Sequence, residues 1–329
     1  MRHFKLLATI TGSAALAIAI PATPPAALPS LAWELLPTGS RQRFCGLSSV
    51  SDKIAWVSGT NGTVLRTTDG GLTWDSAGPA LSADDPDLDF RDIEAITANH
   101  VVLLSIGEGA NSRIYVTRDA GQTWTQASTN NASVAFYDCI ALTSTSHGLA
   151  MSDPVDGKFR LVETIDGGES WVLVGPTGML PAQHGKFGFA ASGTCWPGKP
   201  RIPRTPIAGG DAAGVFSVQF RDEKHGIAVG GDYTLPNETV ANAAWSKDGG
   251  ETWQASAVRP GEYRSGASRV PGLCNTALAV GPTGFDITLD GGRTWRAFEN
   301  GSFDSVQCSL PGVCWASGEQ GRVARLRFK

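Results

Sequence analysis

One eight-residue phrase recurs five times in this chain, and it constrains the fold more than any other feature of the sequence. The copies span residues 67–74, 117–124, 164–171, 246–253 and 288–295, and all fit the pattern Ser/Thr-x-Asp-x-Gly-x-Ser/Thr-Trp. Successive aspartates are 50, 47, 82 and 42 residues apart, which indicates a repeat architecture with one copy missing from the long gap. The shared aspartates and tryptophans are Asp69, Trp74, Asp119, Trp124, Asp166, Trp171, Asp248, Trp253, Asp290 and Trp295.

Each part of the phrase has a mechanical role in a β-hairpin. The aspartate can accept hydrogen bonds from backbone N–H groups of its own turn, and the glycine tolerates the positive φ of a tight turn. The tryptophan then begins the next strand with a large apolar face. Burying about 200 Å² at roughly 25 cal/mol per Å² contributes about 5 kcal/mol at most, so burial alone explains these tryptophans. We therefore interpret the phrase as a structural turn.

A second repeat runs in step with the first, because an aromatic residue opens the first strand of each unit. Each unit then continues through a second strand, a third that leads into the phrase, and a fourth that begins at its tryptophan. Forty glycines and nineteen prolines fit many short strands joined by turns. The sequence predicts an all-β, seven-bladed β-propeller with four-stranded antiparallel blades. The seven openings are Phe44, Phe90, Phe136, Phe187, Phe216, Tyr263 and Phe303.

Two parts of the chain depart from this regularity. The fourth unit, from Phe187 to Phe216, has only 29 residues and is rich in proline, so blade four is predicted to be truncated, as a stunted blade or the product of a deletion. The last unit stops before any copy of the phrase, whereas residues 33–37 look like the tryptophan of the phrase and its outer strand with no blade before them. We expect this N-terminal strand to complete the last blade, because closure removes two exposed sheet edges.

The recurring phrase resembles the Asp-box, or BNR, repeat of sialidase-like β-propellers. Over residues 33–329 the sequence around the boxes is similar to that of bacterial propellers in the photosystem II stability/assembly factor family. Examples are Trp-Val-Ser-Gly at residues 56–59 and His-Gly-Ile-Ala at residues 225–228. The resemblance implies a periplasmic or lumenal protein that binds another protein during assembly and is not a catalyst. The truncated fourth blade departs from the family pattern.

The N-terminus has the organisation of a secretory signal peptide. Arg2 and Lys5 precede a mostly apolar run at residues 6–20, which a Pro/Ala-rich stretch follows. We assign residues 1–27 to the signal peptide and residues 28–329 to the propeller; the alternative is an uncleaved membrane anchor. The mature protein is therefore expected to be periplasmic or secreted, without a membrane span. Six cysteines suit that compartment, and Cys308 and Cys314 could bridge adjacent strands, while the others form disulfides or stay as buried thiols.

Polar residues that follow the opening aromatics are predicted to gather at one mouth of the central channel. The competing interpretation assigns them to salt bridges between blades and hydrogen-bonded caps. Asp153, Asp156, Asp232 and Tyr233 are placed near the far ends of second strands, at the opposite mouth or a flank. The predicted binding patch consists of Arg91, Asp92, Tyr137, Asp138 and Arg264.

A sialidase-like glycoside hydrolase acting on carbohydrate is the alternative function. Arg201-Ile202-Pro203 is similar to an arginine motif of sialidases, but here it follows the third box, and no paired catalytic carboxylates stand out. Residues 84–89 are acidic enough to suggest calcium but lack the glycine and glutamate of an EF-hand, so an exposed loop is favoured. His147 and His225 are interpreted as turn residues. The net charge of −4 gives no indication of a nucleic-acid partner. The family resemblance implies a protein partner, with carbohydrate as the second ligand class, and we predict neither a metal nor a cofactor.

Overall fold

A computed structural model describes residues 31–82, 87–177, 179, 181, 205–238 and 241–328. Within these ranges the chain forms 24 strands and one 3-10 turn at Gly109–Asn111. The strands, in chain order, are β1 (Glu34–Leu36), β2 (Phe44–Ser49), β3 (Ala55–Gly59), β4 (Val64–Thr67), β5 (Asp75–Ser76), β6 (Asp89–Ala95), β7 (Val101–Ile106), β8 (Arg113–Thr117), β9 (Thr125–Thr129), β10 (Tyr137–Leu142), β11 (Gly148–Val155), β12 (Lys158–Thr164), β13 (Val172–Leu173), β14 (Ala213–Phe220), β15 (Gly226–Asp232), β16 (Ala243–Ser246), β17 (Gln254–Ala255), β18 (Gly266–Arg269), β19 (Ala277–Gly281), β20 (Gly284–Thr288), β21 (Arg296–Glu299), β22 (Ser305–Ser309), β23 (Val313–Ser317) and β24 (Val323–Arg327).

These strands form six four-stranded antiparallel sheets, which are the blades of a propeller. Blades 1 to 5 take four consecutive strands each, beginning with β2, and blade 6 contains β22, β23, β24 and β1. The first strands of neighbouring blades contact one another in the order β14, β18, β22, β2, β6, β10, so they are the inner strands of the ring. In the part of the chain that the structure describes, no helix is long and apolar enough to cross a bilayer.

The blade count corrects the prediction of seven, because the described residues form six blades. Six of the seven aromatic openings lie within an inner strand or up to three residues before one, whereas Phe187 lies outside the described residues. The predicted truncated blade four falls largely on residues 182–204, which also lie outside them. The opening aromatics alone therefore do not give the number of blades.

The N-terminal strand completes the last blade, as predicted. β1 is the outermost strand of blade 6, with Glu34 opposite Arg325 and Leu36 opposite Val323. Trp33, just before it, packs edge-to-face on Phe285 and Phe303 at centroid distances of 5.8 and 5.5 Å. The two ends of the described chain therefore stabilise one another through backbone pairing and aromatic burial.

The hydrophobic core lies between the blades. Trp56 of β3 is buried with Phe90 and Leu103 of blade 2, and Trp315 of β23 is buried with Phe44 of blade 1. Similar clusters lie between blades 2 and 3 and between blades 4 and 5. Because these neighbouring blades bury apolar faces against one another, each such interface stabilises the fold.

All five Asp-boxes form the same turn between the third and fourth strands of blades 1 to 5. In the first box, Oδ1 of Asp69 accepts hydrogen bonds from Thr67 Oγ1 at 2.9 Å and from the Thr73 N–H at 3.0 Å. Its Oδ2 accepts from Thr73 Oγ1 at 2.6 Å, and Gly71 has φ of 87°. The Gly70 N–H also donates to the Lys53 carbonyl, which ties the box to the hairpin between β2 and β3. The box is therefore a self-contained turn that also anchors its own blade.

Candidate functional site

The inner strands begin at one end of the ring, here called the mouth, and the boxes lie at the opposite end. Register shifts in blades 1, 2 and 3 leave Cys45, Arg91 and Asp138 in β-bulges at the start of β2, β6 and β10. Bulges re-aim side chains and are common beside functional sites. The side chains that interact there are here called the mouth cluster, and they are Arg43, Cys45, Asp89, Arg91, Asp138, Asp153, Tyr263 and Asp304.

Arg43 and Asp304 form a bidentate ion pair between blades 1 and 6. Nε of Arg43 donates to Oδ2 of Asp304 at 2.7 Å, and Nη2 donates to Oδ1 at 2.8 Å. The Asp304 side chain is 4% exposed, whereas that of Arg43 is 49% exposed and also lies 3.5 Å from Glu319. The pKa of Arg43 is raised, first by the hydrogen bond to Asp304. The pair therefore joins two blades while one face of the guanidinium stays open to solvent.

Cys45 lies beneath this pair as a buried free thiol. Its Sγ is 3.9 Å from Oδ2 of Asp304. Burial raises the pKa of the thiol to about 12, against the opposing effect of Arg91. The thiol therefore stays protonated at neutral pH and is not an activated nucleophile.

Arg91 pairs with Asp89 on its own strand, with Nη2 3.0 Å from Oδ2. The two side chains are 25% and 29% exposed, so this pair forms part of the open surface of the mouth cluster. It places one positive and one negative charge beside the bulge of blade 3.

Asp138 occupies that bulge and is only 3% exposed. Among the described residues, its Oδ2 has no hydrogen-bond partner. Burial, and next the negative charge of Asp153, raise the pKa of Asp138 to about 8, while Arg91 acts in the opposite direction. At neutral pH this carboxyl group is therefore largely protonated.

The other members of the predicted patch are packed between strands in the interior. They are Asp92, Tyr137 and Arg264. Oδ2 of Asp92 accepts a hydrogen bond from the Ile140 N–H at 2.7 Å, which joins blade 2 to blade 3. Burial raises the pKa of Asp92 to about 7 and raises that of Glu94, on the same strand, well above its ordinary value. Serine hydroxyls make the equivalent link elsewhere, as where Ser48 Oγ accepts from the Ala95 N–H.

Tyr137 packs in the apolar cluster between blades 2 and 3, where it is buried. Arg264 is 2% exposed, and its Nη2 lies 2.6 Å from Oδ2 of the buried Asp286. Burial raises the pKa of Asp286 overall, although Arg264 acts to lower it. The structure therefore brings Arg91 and Asp138 together in the mouth cluster and places Tyr137 and Arg264 in the interior.

Sequence reasoning did not assign Arg43 and Cys45 to the patch. Arg43 lies immediately before its opening aromatic, as Asp89 does in the next blade. This shared position in the repeat could have placed Arg43 in the patch. Asp153 lies in the mouth cluster, whereas Asp232 caps its own loop by accepting from the Thr234 N–H at 2.9 Å. Tyr233 packs edge-to-face on Phe216 and is half exposed.

The remaining predictions concern turns, metals and disulfides. The N–H groups of His147 and His225 donate to Ser144 and Asp222 within their hairpins, so both are turn residues, as predicted. No cluster suited to a metal ion occurs among the described residues, which omit residues 83–86 of the acidic run. Cys308 and Cys314 form the predicted disulfide between β22 and β23, and Cys139 is also disulfide-bonded.

Comparison with known proteins identifies the repeat and the fold. Residues 244–255 match the family model of the BNR/Asp-box repeat. No curated protein matches the chain by sequence. The chain is similar to the structure titled "YCF48 bound to D1 peptide", with a TM-score of 0.60 and 16% identity over 94% of this chain and 100% of that one.

It is also similar to YCF48 from Cyanidioschyzon merolae, with a TM-score of 0.60 and 14% identity over 90% of this chain and 99% of that one. A third similar structure is the computationally designed Ika8 protein, with a TM-score of 0.51 and 12% identity over 90% and 100% of the two chains. At these identities the likeness shows a shared fold. The chain is a β-propeller that contains a BNR/Asp-box repeat at residues 244–255 and shares its fold with the YCF48 structures.

Proposed function

We propose that this chain is an exported propeller that binds a segment of another protein at the mouth cluster, in a role like that of photosystem II stability/assembly factors. The observation that carries the proposal is the mouth cluster itself, where charged side chains of both signs from several blades meet at one end of the channel. Such an arrangement suits recognition of a polar, extended chain segment through charge complementarity.

The exposure of the two mouth arginines supports a binding role. Arg43 and Arg91 hold their guanidinium groups against carboxylates yet keep part of each side chain open to solvent. Arginine is enriched among residues that dominate protein–protein affinity, because its planar fork forms directed hydrogen bonds and its stem covers apolar surface. A partner that lies across the mouth contacts side chains already fixed by ion pairs, so little conformational entropy is lost on binding.

The fold comparison supports a peptide as the class of ligand. One of the similar structures is YCF48 in complex with a D1 peptide, which shows that a propeller of this architecture binds a peptide. The proposed role in assembly for this chain extends that likeness, together with the resemblance of the sequence around the boxes.

Export is supported by the N-terminal pattern and by the cystine content. The Cys308–Cys314 disulfide is the kind of cross-link that persists in an oxidising compartment. When the full chain is produced in a bacterial host, we expect it in the periplasm with its N-terminus cut after Ala22, Ala27 or Ala32, as measured by intact mass. A full-length chain retained with the cell membrane would overturn this part of the proposal.

The binding function is tested by selecting ligands from a displayed peptide library with the exported protein and measuring their affinities by calorimetry. Arg91→Ala should weaken the selected peptides at least about tenfold, which corresponds to about 1.4 kcal/mol. Arg118→Ala is the matched control, because Arg118 is an exposed arginine that pairs with Glu169 at the box end. A selection that yields no peptide, or peptides unaffected by Arg91→Ala, would refute binding at the mouth.

A further inference from the structure

Arg269 lies at the box end of the ring, where blades 4 and 5 meet, and its guanidinium group is poorly satisfied. It is the last residue of β18 and pairs with Ala277, beside the turn that leads into β19. Its Nε and Nη1 are buried and have no hydrogen-bond partner among the described residues. Its Nη2 donates one long hydrogen bond, of 3.4 Å, to the His225 carbonyl. Most N–H groups of this guanidinium therefore lack an acceptor.

The charges around Arg269 come from the two turns beside it. The turn between β14 and β15 reads Arg-Asp-Glu-Lys-His at residues 221–225, and its formal charges cancel with the histidine neutral. Within it, Nε of Arg221 lies 3.0 Å from Oδ2 of Asp222. The turn between β18 and β19, at residues 270–276, contains no charged residue. No described carboxylate pairs with Arg269 itself, so the site keeps one uncompensated positive charge.

This uncompensated charge determines which acceptor fits. Burial, and next the positive charge of Arg221, lower the pKa of Arg269 to about 10, while Asp222 acts in the opposite direction. The guanidinium is still protonated at neutral pH, so the folded protein holds a partly desolvated cation. A neutral acceptor would satisfy the N–H groups and leave the charge. An anion would satisfy the N–H groups and also compensate the charge.

The surroundings of Arg269 are fixed in place and border solvent. Nη1 of Arg221 donates to Oδ1 of Asn275 at 2.7 Å, which ties the turn of blade 4 to the turn of blade 5. The Gly249 N–H of the fourth box donates to the Lys224 carbonyl in the first of these turns. The Arg221 side chain is 27% exposed and Arg269 is half-buried, so the long side chain of Arg269 can turn its N–H groups toward an anion that arrives at the surface.

We propose that Arg269, assisted by the positive charge of Arg221, forms an oxyanion-binding site between blades 4 and 5 at the box end of the ring. The ligand is a carboxylate, phosphate or sulfate group that accepts hydrogen bonds from the guanidinium of Arg269. Charge-assisted hydrogen bonds then replace unsatisfied donors. This site goes beyond the proposed function, because it lies at the end of the ring opposite the mouth cluster and takes a different ligand.

The site is tested by titrating the exported protein with sodium sulfate, sodium phosphate and sodium acetate, each against sodium chloride at the same ionic strength. At least one oxyanion should shift the arginine Nε–H NMR resonance that Arg269→Gln removes. The same oxyanion should raise the melting temperature more than chloride does, because it binds the folded state. The order of the three affinities distinguishes a planar carboxylate ligand from a tetrahedral phosphate or sulfate.

Arg269→Gln removes the charge and should weaken binding of that oxyanion at least about tenfold. In chloride alone this variant should be at least as stable as the parent, because it removes a partly buried cation that has no counter-charge. Arg269→Lys keeps the charge without the planar fork and should bind with an intermediate affinity. Arg118→Gln is the matched control, since Arg118 pairs with Glu169 at the box end between blades 2 and 3, and it should bind like the parent.

Three results would overturn the site. They are equal responses to chloride and to all three oxyanions, undiminished binding by Arg269→Gln, and a loss of binding in Arg118→Gln as large as that in Arg269→Gln. The peptide selection at the mouth is independent of these measurements. If it yields no ligand while an oxyanion binds through Arg269, the proposed function fails and the oxyanion site stands.

Discussion

The box end and the mouth of this propeller use aspartate in opposite ways. At the box end, Asp69 is partly exposed, and hydrogen bonds from Thr73 and Thr67 lower its pKa to about 2. At the mouth, Asp138 is buried with one oxygen unpartnered, and its pKa is raised to about 8. The first carboxylate is satisfied by its own turn, whereas the second keeps one oxygen that no described residue satisfies.

The two ends also differ in how strictly they repeat. The box turn has the same hydrogen bonds in five blades. The bulged positions of blades 1, 2, 3 and 4 carry Cys45, Arg91, Asp138 and Phe216, four residues with no common chemistry. The repeated box turn therefore builds the ring, whereas the different residues at the bulged positions give the mouth a specific surface. Mutations at the two ends should accordingly differ in size, in sign and in pH dependence.

The largest effect is expected for Trp295→Ala at the box end of blade 5. Trp295 is 1% exposed and packs with Ile227 and Ala267 between blades 4 and 5. Its removal leaves a cavity, and the free energy of unfolding should fall by about 3–5 kcal/mol, as measured by guanidinium denaturation. Trp171→Ala, at a half-buried box tryptophan, is the control and should lower the free energy of unfolding by a smaller amount. Equal losses would mean that interblade burial does not govern the stability of the box end.

The sequence predicts the box end well because its chemistry is local. Eight residues contain the aspartate, both hydroxyls and the glycine with positive φ, so the turn can be inferred without the rest of the fold. Closure of blade 6 by β1 is also predictable, since a unit without an outer strand and a strand without a unit stand at opposite ends. The predicted blade count of seven is wrong, because an opening aromatic alone does not establish a four-stranded unit.

The mouth is harder to predict because its geometry depends on register and on distant partners. Phe136 was the predicted opening of its unit, but β10 starts at Tyr137, and a shift of one residue exchanges the buried and exposed faces of a strand. Arg264 was placed by repeat symmetry at the surface, yet its carboxylate partner, Asp286, lies 22 residues away on another strand. The sequence cannot show that this ion pair is buried until both strands are in place.

An intermediate effect is expected for Asp138→Asn, with a gain in stability. The folded pKa, about 8, lies above the ordinary value of about 3.9, so the folded state holds this proton more tightly than the unfolded chain does. The bound proton therefore stabilises the folded state fully below about pH 4, and this stabilisation is lost as the pH rises through 8. Asparagine cannot ionise, so the stability of the variant relative to the parent should increase as the pH rises from 5 to 8 and should be greatest at pH 9.

Thermal unfolding of the exported protein at pH 5, 7 and 9 measures this difference. Asp92 and Glu94, whose pKa values are also raised, titrate in both proteins, so the difference isolates Asp138. A constant difference across the three pH values, or a variant that is less stable at pH 9, would contradict the buried, protonated state of this carboxyl.

The smallest effect is expected for Asp69→Asn in the first box, with the opposite sign at neutral pH. Its folded pKa of about 2 lies below the ordinary value, so the carboxylate stabilises the folded state above about pH 4, and this contribution disappears as the pH falls through 2. The variant should therefore melt slightly below the parent at pH 7 and coincide with it near pH 2. Asp75→Asn, an exposed acid on the adjoining edge strand, should leave the melting temperature unchanged at both pH values. Both substitutions replace a carboxyl group by an amide. A lower melting temperature for Asp69→Asn and a higher one for Asp138→Asn, measured at the same neutral-to-basic pH, can therefore arise only from the surroundings of the two side chains. If both substitutions changed the melting temperature in the same direction, the box end and the mouth would not differ in their effect on an aspartate.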